Sequence, residues 1–176
     1  RARGDRTEAV AAFDRAWNAA VRLRALRPDH PEVLELAGAV ASEMARVSFE
    51  LRDLERSRFY AGEAMAIAQT VFDGAPEQPS SIDALAAAHS ATGMAVLATG
   101  QPEAAADHFG QVVSLRRRLV GRDPENAEYR RALVVGCGHL SDVLAFRPGE
   151  NLGDVEGAIT VLLEAAELCE WARARD

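Results

Sequence analysis

A chain of 176 residues with 48% hydrophobic side chains can bury a core, which excludes a disordered segment; 6% aromatics amid abundant alanine suit closely packed helices and argue against a β-sandwich. Net charge is −7, with 11 Arg against 14 Asp and Glu in residues 1–88 and 9 against 13 in residues 89–176, so neither half offers a basic face to nucleic acid or anionic lipid. No apolar run approaches the roughly 20 residues of a membrane span, and two distant cysteines, Cys137 and Cys169, fit a reducing, cytoplasmic setting better than a disulfide framework.

Apolar spacing and turn residues predict about seven helices, near 5–26, 31–50, 53–73, 80–98, 102–120, 124–146 and 154–174. The connections at Arg27–Pro31, Gly74–Pro79 and Gly121–Pro124 each hold one or two prolines, which cannot continue the preceding helix but can open the next. Asp5, Asp53 and Asp154 are placed to cap helix N-termini, and Pro102 fits a first helical position. No segment alternates long enough to make a convincing strand.

The chain repeats itself. Gly4-Asp5-Arg6-Thr7-Glu8-Ala9 returns as Gly100-Gln101-Pro102-Glu103-Ala104-Ala105 and Gly153-Asp154-Val155-Glu156-Gly157-Ala158, with a weaker copy at Arg52–Ser57. The small residues Ala9, Ser57, Ala105 and Ala158 are spaced by 48, 48 and 53, and a second set, Ala45, Gly93 and Ser141, by 48 and 48. Two markers on one period define a unit of helix A, tight turn, helix B and a longer connection. The five extra residues of the last interval fall in Arg147–Asn151, a turn-rich insertion. The domain reading is one structure over 1–176: helix B of a first repeat in 1–27, then repeats at about 28–75, 76–123 and 124–176. The chain has no signal peptide and does not begin with Met, so it reads as a piece of a larger protein. Small residues facing each other let the hairpin helices approach, and Gly93 against Ala105 and Ala45 against Ser57 are expected to do so. Phe13 and Phe109 would then fill the gaps between hairpins, which must stack to bury their apolar faces.

Residues that carry chemistry are sparse. No phosphate-binding glycine loop, no His-Glu-x-x-His and no paired Cys-x-x-Cys occurs, so neither catalysis, a metal nor a cofactor is expected. Cys137 and His139 point to different sides of one helix and cannot act as a dyad within it; His139 and Asp142 share a face and read as a hydrogen-bonded polar pair. His30 reads as a residue at a helix start. Arg116, Arg117 and Arg118 point different ways, and with Arg122 they suit a helix C-terminus. Gly136 and Gly138, each unfavourable in a helix by about 1 kcal/mol, imply close packing of a neighbouring helix.

Ala9-x3-Phe13 and Ala105-x3-Phe109, with the small residue in each helix A, resemble the tetratricopeptide repeat; Ser57-x3-Ala61 and Ala158-x3-Leu162 match in size class. The 48-residue unit and the connection Arg27-Pro28-Asp29-His30-Pro31-Glu32-Val33 resemble the longer kinesin-light-chain-like repeats of large bacterial proteins. The resemblance implies an all-α fold, a right-handed α-solenoid of antiparallel hairpins, with ligands along the helix-A wall. That wall corresponds to Ser42, Arg46 and Phe49, then Ser90, Met94 and Leu97, then Asp142 and Phe146. Family members that clamp a terminal carboxylate use Lys and Asn there; this chain has no Lys and its wall no Asn, so an apolar segment or helix suits it better. The expected function is a non-enzymatic protein–protein interaction scaffold, holding a protein, a peptide or another domain of the same chain; the alternative is a regulatory arm of a larger bacterial protease, kinase or signalling ATPase. No nucleic-acid or membrane partner is expected. The first and last helices lack cover at Phe13 and Trp17 and at Leu168–Trp171, so self-association through uncapped ends is a further expectation.

Overall fold

The computed structural model describes residues 2–147 and 151–173, with side chains from 10 to 147 and 151 to 171. Among the described residues there are seven α-helices and no strand: α1 Ala2–Leu26, α2 Pro31–Glu50, α3 Leu54–Gly74, α4 Pro79–Leu97, α5 Pro102–Arg122, α6 Ala127–Ser141 and α7 Val155–Arg173. The all-α class expected from the sequence is the one found. A π-helical turn, Asp142–Phe146, extends α6. The chain divides into two compact units, residues 1–91 and 92–176, with the boundary inside α4.

Capping explains most helix starts. Asp53 accepts a hydrogen bond from the Arg56 amide at 3.1 Å, Asp154 accepts from the Gly157 amide at 2.9 Å, and Pro31 and Pro102 open α2 and α5. Two expectations change. Asp5 lies inside α1, which already begins at Ala2. α6 begins at Ala127, three residues after Pro124, because the Asn126 side chain accepts from the amides of both Glu128 and Tyr129 at 3.1 Å.

In the first unit α1 packs on α2 and α2 on α3. Ala20, Ala37, Ile67 and Val71 form a buried cluster, with Leu34 packed against it. At the α2–α3 crossing the expected small pair is present: Ala45 and Ser57 are both buried, and the Ser57 hydroxyl donates to the Ala45 carbonyl at 3.0 Å. α1 also reaches α3, where Trp17 meets Tyr60 edge to face at 5.3 Å and Arg56 pairs with Asp14.

In the second unit the atoms nearest to Gly93 belong to the ring of Phe109, one helical turn after Ala105. A Cβ built on Gly93 would lie 2.8 Å from the Phe109 ring. Phe109 is 2% exposed and clusters with Leu97, Ala105 and Val143, so one ring covers the end of α4 and the π turn beyond α6 together. A second cluster, Val113, Leu133, Cys137, Val161 and Ala165, joins α5, α6 and α7. Gly136 packs closely, its built Cβ 3.1 Å from Val112, whereas Gly138 has nothing within 4 Å. The close-packing expectation holds for Gly136 and fails for Gly138.

The turns from helix A to helix B are alike. Arg52 and Gly100 sit at φ 63° and φ 73°. Arg52 N–H bonds the Phe49 carbonyl and Asp53 N–H the Ser48 carbonyl, and Gly100 and Gln101 bond Leu97 and Val96 in the same way, which is a Schellman motif at both turns. The third turn carries the extra residues, of which 148–150 lie outside the described part. Here the Arg147 amide bonds the Asp142 carbonyl at 2.7 Å, the wide step that makes the π turn. The returning chain then satisfies two freed carbonyls, with Leu152 N–H on Val143 and Asp154 N–H on Leu144.

Candidate binding surface

The wall of the first unit is built by α2 and α4. Along α2 the row Glu35, Gly38, Ala39, Ser42 recurs at helical spacing, and along α4 so does Ser80, Asp83, Ala84, Ala87. Together they line an open cleft of about 240 Å³. Small side chains leave it shallow, so a partner's backbone can come close. The Ser80 hydroxyl donates to Glu35 at 2.9 Å and ties the two helices at one end.

Of the residues expected on the wall, Ser42 lines this cleft. Arg46 lies one turn further along α2, exposed, and Ser90 one turn beyond Ala87 on α4, half-buried. The Arg46 guanidinium is already engaged by Glu43 at 2.8 Å and by Glu50. The Glu43 hydrogen bond, opposed by partial burial and helped by the charge of both carboxylates, holds Arg46 above its ordinary range. A carboxylate ligand would have to compete with two built-in ones. Phe49 is half-buried near the end of α2. In the second unit Met94 packs against the Phe109 cluster, and Leu97, 4% exposed, belongs to that core, so Leu97 offers nothing to a partner. Asp142 is exposed at the start of the π turn, and Phe146 is 51% exposed at its end.

A second cleft of the first unit, about 550 Å³, opens where α2 and α4 begin and α3 ends. Asp29, Glu32 and Glu35 line it with His30 and Ser81. His30 is the N-cap residue of α2 but makes no side-chain cap bond, and its Nδ1 is buried without a hydrogen-bond partner. Ser81, 0% exposed, has a hydroxyl that also finds none. Sequence reasoning missed this cleft. His30 could be read only as part of a proline-rich connection, and nothing local to Ser81 signals that tertiary packing buries its hydroxyl.

The residues weighed for catalysis do not converge. Cys137 Sγ faces Glu164 on α7 at 3.9 Å, while the His139 ring stacks at a tilt on Phe109 at 5.3 Å. Burial, with the Glu164 charge second, pushes the Cys137 thiol from 9.0 up to about 11, far from a nucleophile at neutral pH. The hydrogen bond expected between His139 and Asp142 is not made; the Nδ1 of His139 has no partner, because the ring is turned into the core. Burial, and then the nearby Arg116, hold it below its ordinary 6.5. Arg117 donates from Nε and Nη2 to the two carboxylate oxygens of Glu164, at 2.8 and 2.5 Å, and Arg116 donates to the Ala132 carbonyl at 2.6 Å. Among the described residues no group of three His, Cys, Asp or Glu could hold a metal, and no helix is long and apolar enough to cross a membrane.

Paired helices repeated at a fixed period, an open wall and no convergent chemistry define a helical-repeat protein. Residues 93–126 match the family model of the tetratricopeptide repeat, covering the end of α4, its Schellman turn and α5. Residues 93–126 thus carry a tetratricopeptide repeat, of a family whose repeats generally mediate protein–protein interaction and typically lack catalysis. Neither a curated protein nor a solved structure matches it.

Proposed function

We propose that the chain is a protein-interaction scaffold and that its first unit holds a partner segment along the α2–α4 wall, at Ser42 and its neighbours Arg46, Phe49 and Ser90. The observation that carries this reading is the shallow cleft between Gly38, Ala39 and Ser42 on one helix and Ala84 and Ala87 on the other. Met94, Asp142 and Phe146 form the corresponding candidate surface of the second unit. A displayed peptide library panned on the protein tests the wall. Peptides enriched on it are expected to lose affinity at least about tenfold, or about 1.4 kcal/mol, on Ala39→Arg and to keep it on Ser114→Arg, an exposed change on α5. Enriched peptides that bind Ala39→Arg unchanged would place the site elsewhere.

Association of two copies through α7 extends the same reading. Val155, Ile159, Leu162 and Leu163 recur at helical spacing and are 38% to 62% exposed. Sedimentation of Leu163→Glu beside the native chain tests it, and identical monomer profiles at high concentration would remove it.

A further inference from the structure

We propose that the cleft at the start of α2 and α4 is a binding site for a primary ammonium, the lysine side chain of a partner segment lying on the wall. The inference rests on the reading of the first unit as a module that holds a segment, and it adds what that segment must carry.

The groups in the cleft call for a donor. Three carboxylates, Asp29, Glu32 and Glu35, line it, and no Lys or Arg is among its described lining residues. Two buried polar atoms lack partners in the same cleft, His30 Nδ1 and the hydroxyl of the fully buried Ser81. A buried polar atom left unmade costs about 1–3 kcal/mol, so two in one cleft point to a ligand that completes them. An ammonium has three donors and no acceptor. Its donors match these groups by type, the carboxylates and the two orphans alike, while Pro31, Val71 and Ala75 provide apolar surface for its carbon stem.

Helix dipoles act both ways. The N-termini of α2 and α4 each present roughly half a positive charge, and the α3 C-terminus roughly half a negative one. Set against three carboxylates and no cationic lining residue, these partial charges leave a cation preferred to an anion. Glu35 lines both clefts, so a segment on the wall passes within reach of this one.

The test uses a short capped alanine peptide with one central lysine, its Nε-acetyl-lysine counterpart, and n-butylamine. The His30 ring, assigned in the NMR spectrum by its loss in His30→Gln, is the reporter. The lysine peptide is expected to shift that ring saturably. Acetylation, and separately Glu32→Gln, should each weaken binding about tenfold or more, since a charge-assisted bond is lost. Butylamine should bind at least about tenfold more weakly than the peptide; equal affinity would overturn a peptide-borne source. Ser81→Ala gives an independent sign: it should melt higher, with an orphaned hydroxyl removed, yet bind the peptide less well. A lower melting point would show that the fold itself satisfies this hydroxyl, and an unmoved His30 ring at saturating peptide would overturn the site. Library-selected peptides that shift Ala39 and Ala87 but leave His30 still would overturn the cleft alone, whereas peptides moving neither would remove the wall reading too.

Discussion

A side chain at Arg52 sits where the equivalent turn uses Gly100. Both positions are left-handed, at φ 63° and φ 73°, and both close a Schellman motif. The left-handed conformation costs a non-glycine residue about 1–2 kcal/mol, while glycine loses about 0.5–1 kcal/mol more in chain entropy on folding. Arg52→Gly should therefore stabilise the protein, by up to about 1 kcal/mol. Gly100→Ala should destabilise it by a similar amount, up to about 1 kcal/mol, through the backbone alone, since a Cβ there meets nothing within 4 Å. Urea denaturation of the two variants measures both signs. The turn residues were legible in the sequence as a recurring Gly-Asp or Gly-Gln, and Arg52 was visible as the departure from that pattern. Residue types could not show which buried atoms the packing would leave without partners, as at His30 and Ser81.

At the level of helices, the period of 48 carried the fold, because every repeat must place its small residue at the same crossing. Ala45 and Ser57 meet as that logic requires. Gly93 meets Phe109, since the ring that follows Ala105 by one turn leans back over α4 and fills the space a side chain would have taken. Gly93→Ala should accordingly cost about 1–3 kcal/mol by overpacking, and Phe109→Leu more than it would at an ordinary core site because of the gap it opens. The double variant should be more stable than the sum of the two losses by at least about 0.5 kcal/mol, since each change relieves the other. Thermal denaturation of the four proteins in the cycle decides this, and strict additivity would mean that the ring and the glycine do not depend on each other. The π turn was half legible. Five extra residues announced an insertion, but which carbonyls its returning segment would take depends on pairing across the turn. Helical spacing put Ser42 on the row that lines the α2–α4 cleft, with Ser90 one turn beyond that cleft on α4. Leu97 was misplaced because an apolar residue at the right spacing looks the same whether it faces a groove or the Phe109 cluster.

Across the molecule, two histidines of the second unit are held neutral. Burial lowers His139 from its ordinary 6.5, with Arg116 adding to it, and burial lowers His108 against the opposing pull of Asp107. Folding therefore resists a proton that the unfolded chain accepts. Stability is full above about pH 6.5 and is lost as pH falls through that value toward the lower folded pKa. The melting temperature is expected to drop between about pH 7.5 and about pH 5.5, and to drop less in His139→Phe, which keeps a ring against Phe109. Glu164 belongs to a separate, more acidic window. The Arg117 hydrogen bond keeps its carboxyl below the ordinary 4.5, so that contribution fades only as pH falls from there.

The two thiols of the second unit differ in a way that makes the chain its own clock. Cys169 is exposed on α7, while Cys137 is fully buried on α6 with its thiol pushed up to about 11. A maleimide dye should attach to Cys169 alone in the native protein. Cys137 should become reactive only when α6 and α7 part, so mass spectrometry of timed alkylation counts those openings directly. The rate at which Cys137 is labelled in Cys169→Ser would then report how often this hairpin breathes, and a singly dyed native chain would show by fluorescence anisotropy whether a partner segment slows its tumbling.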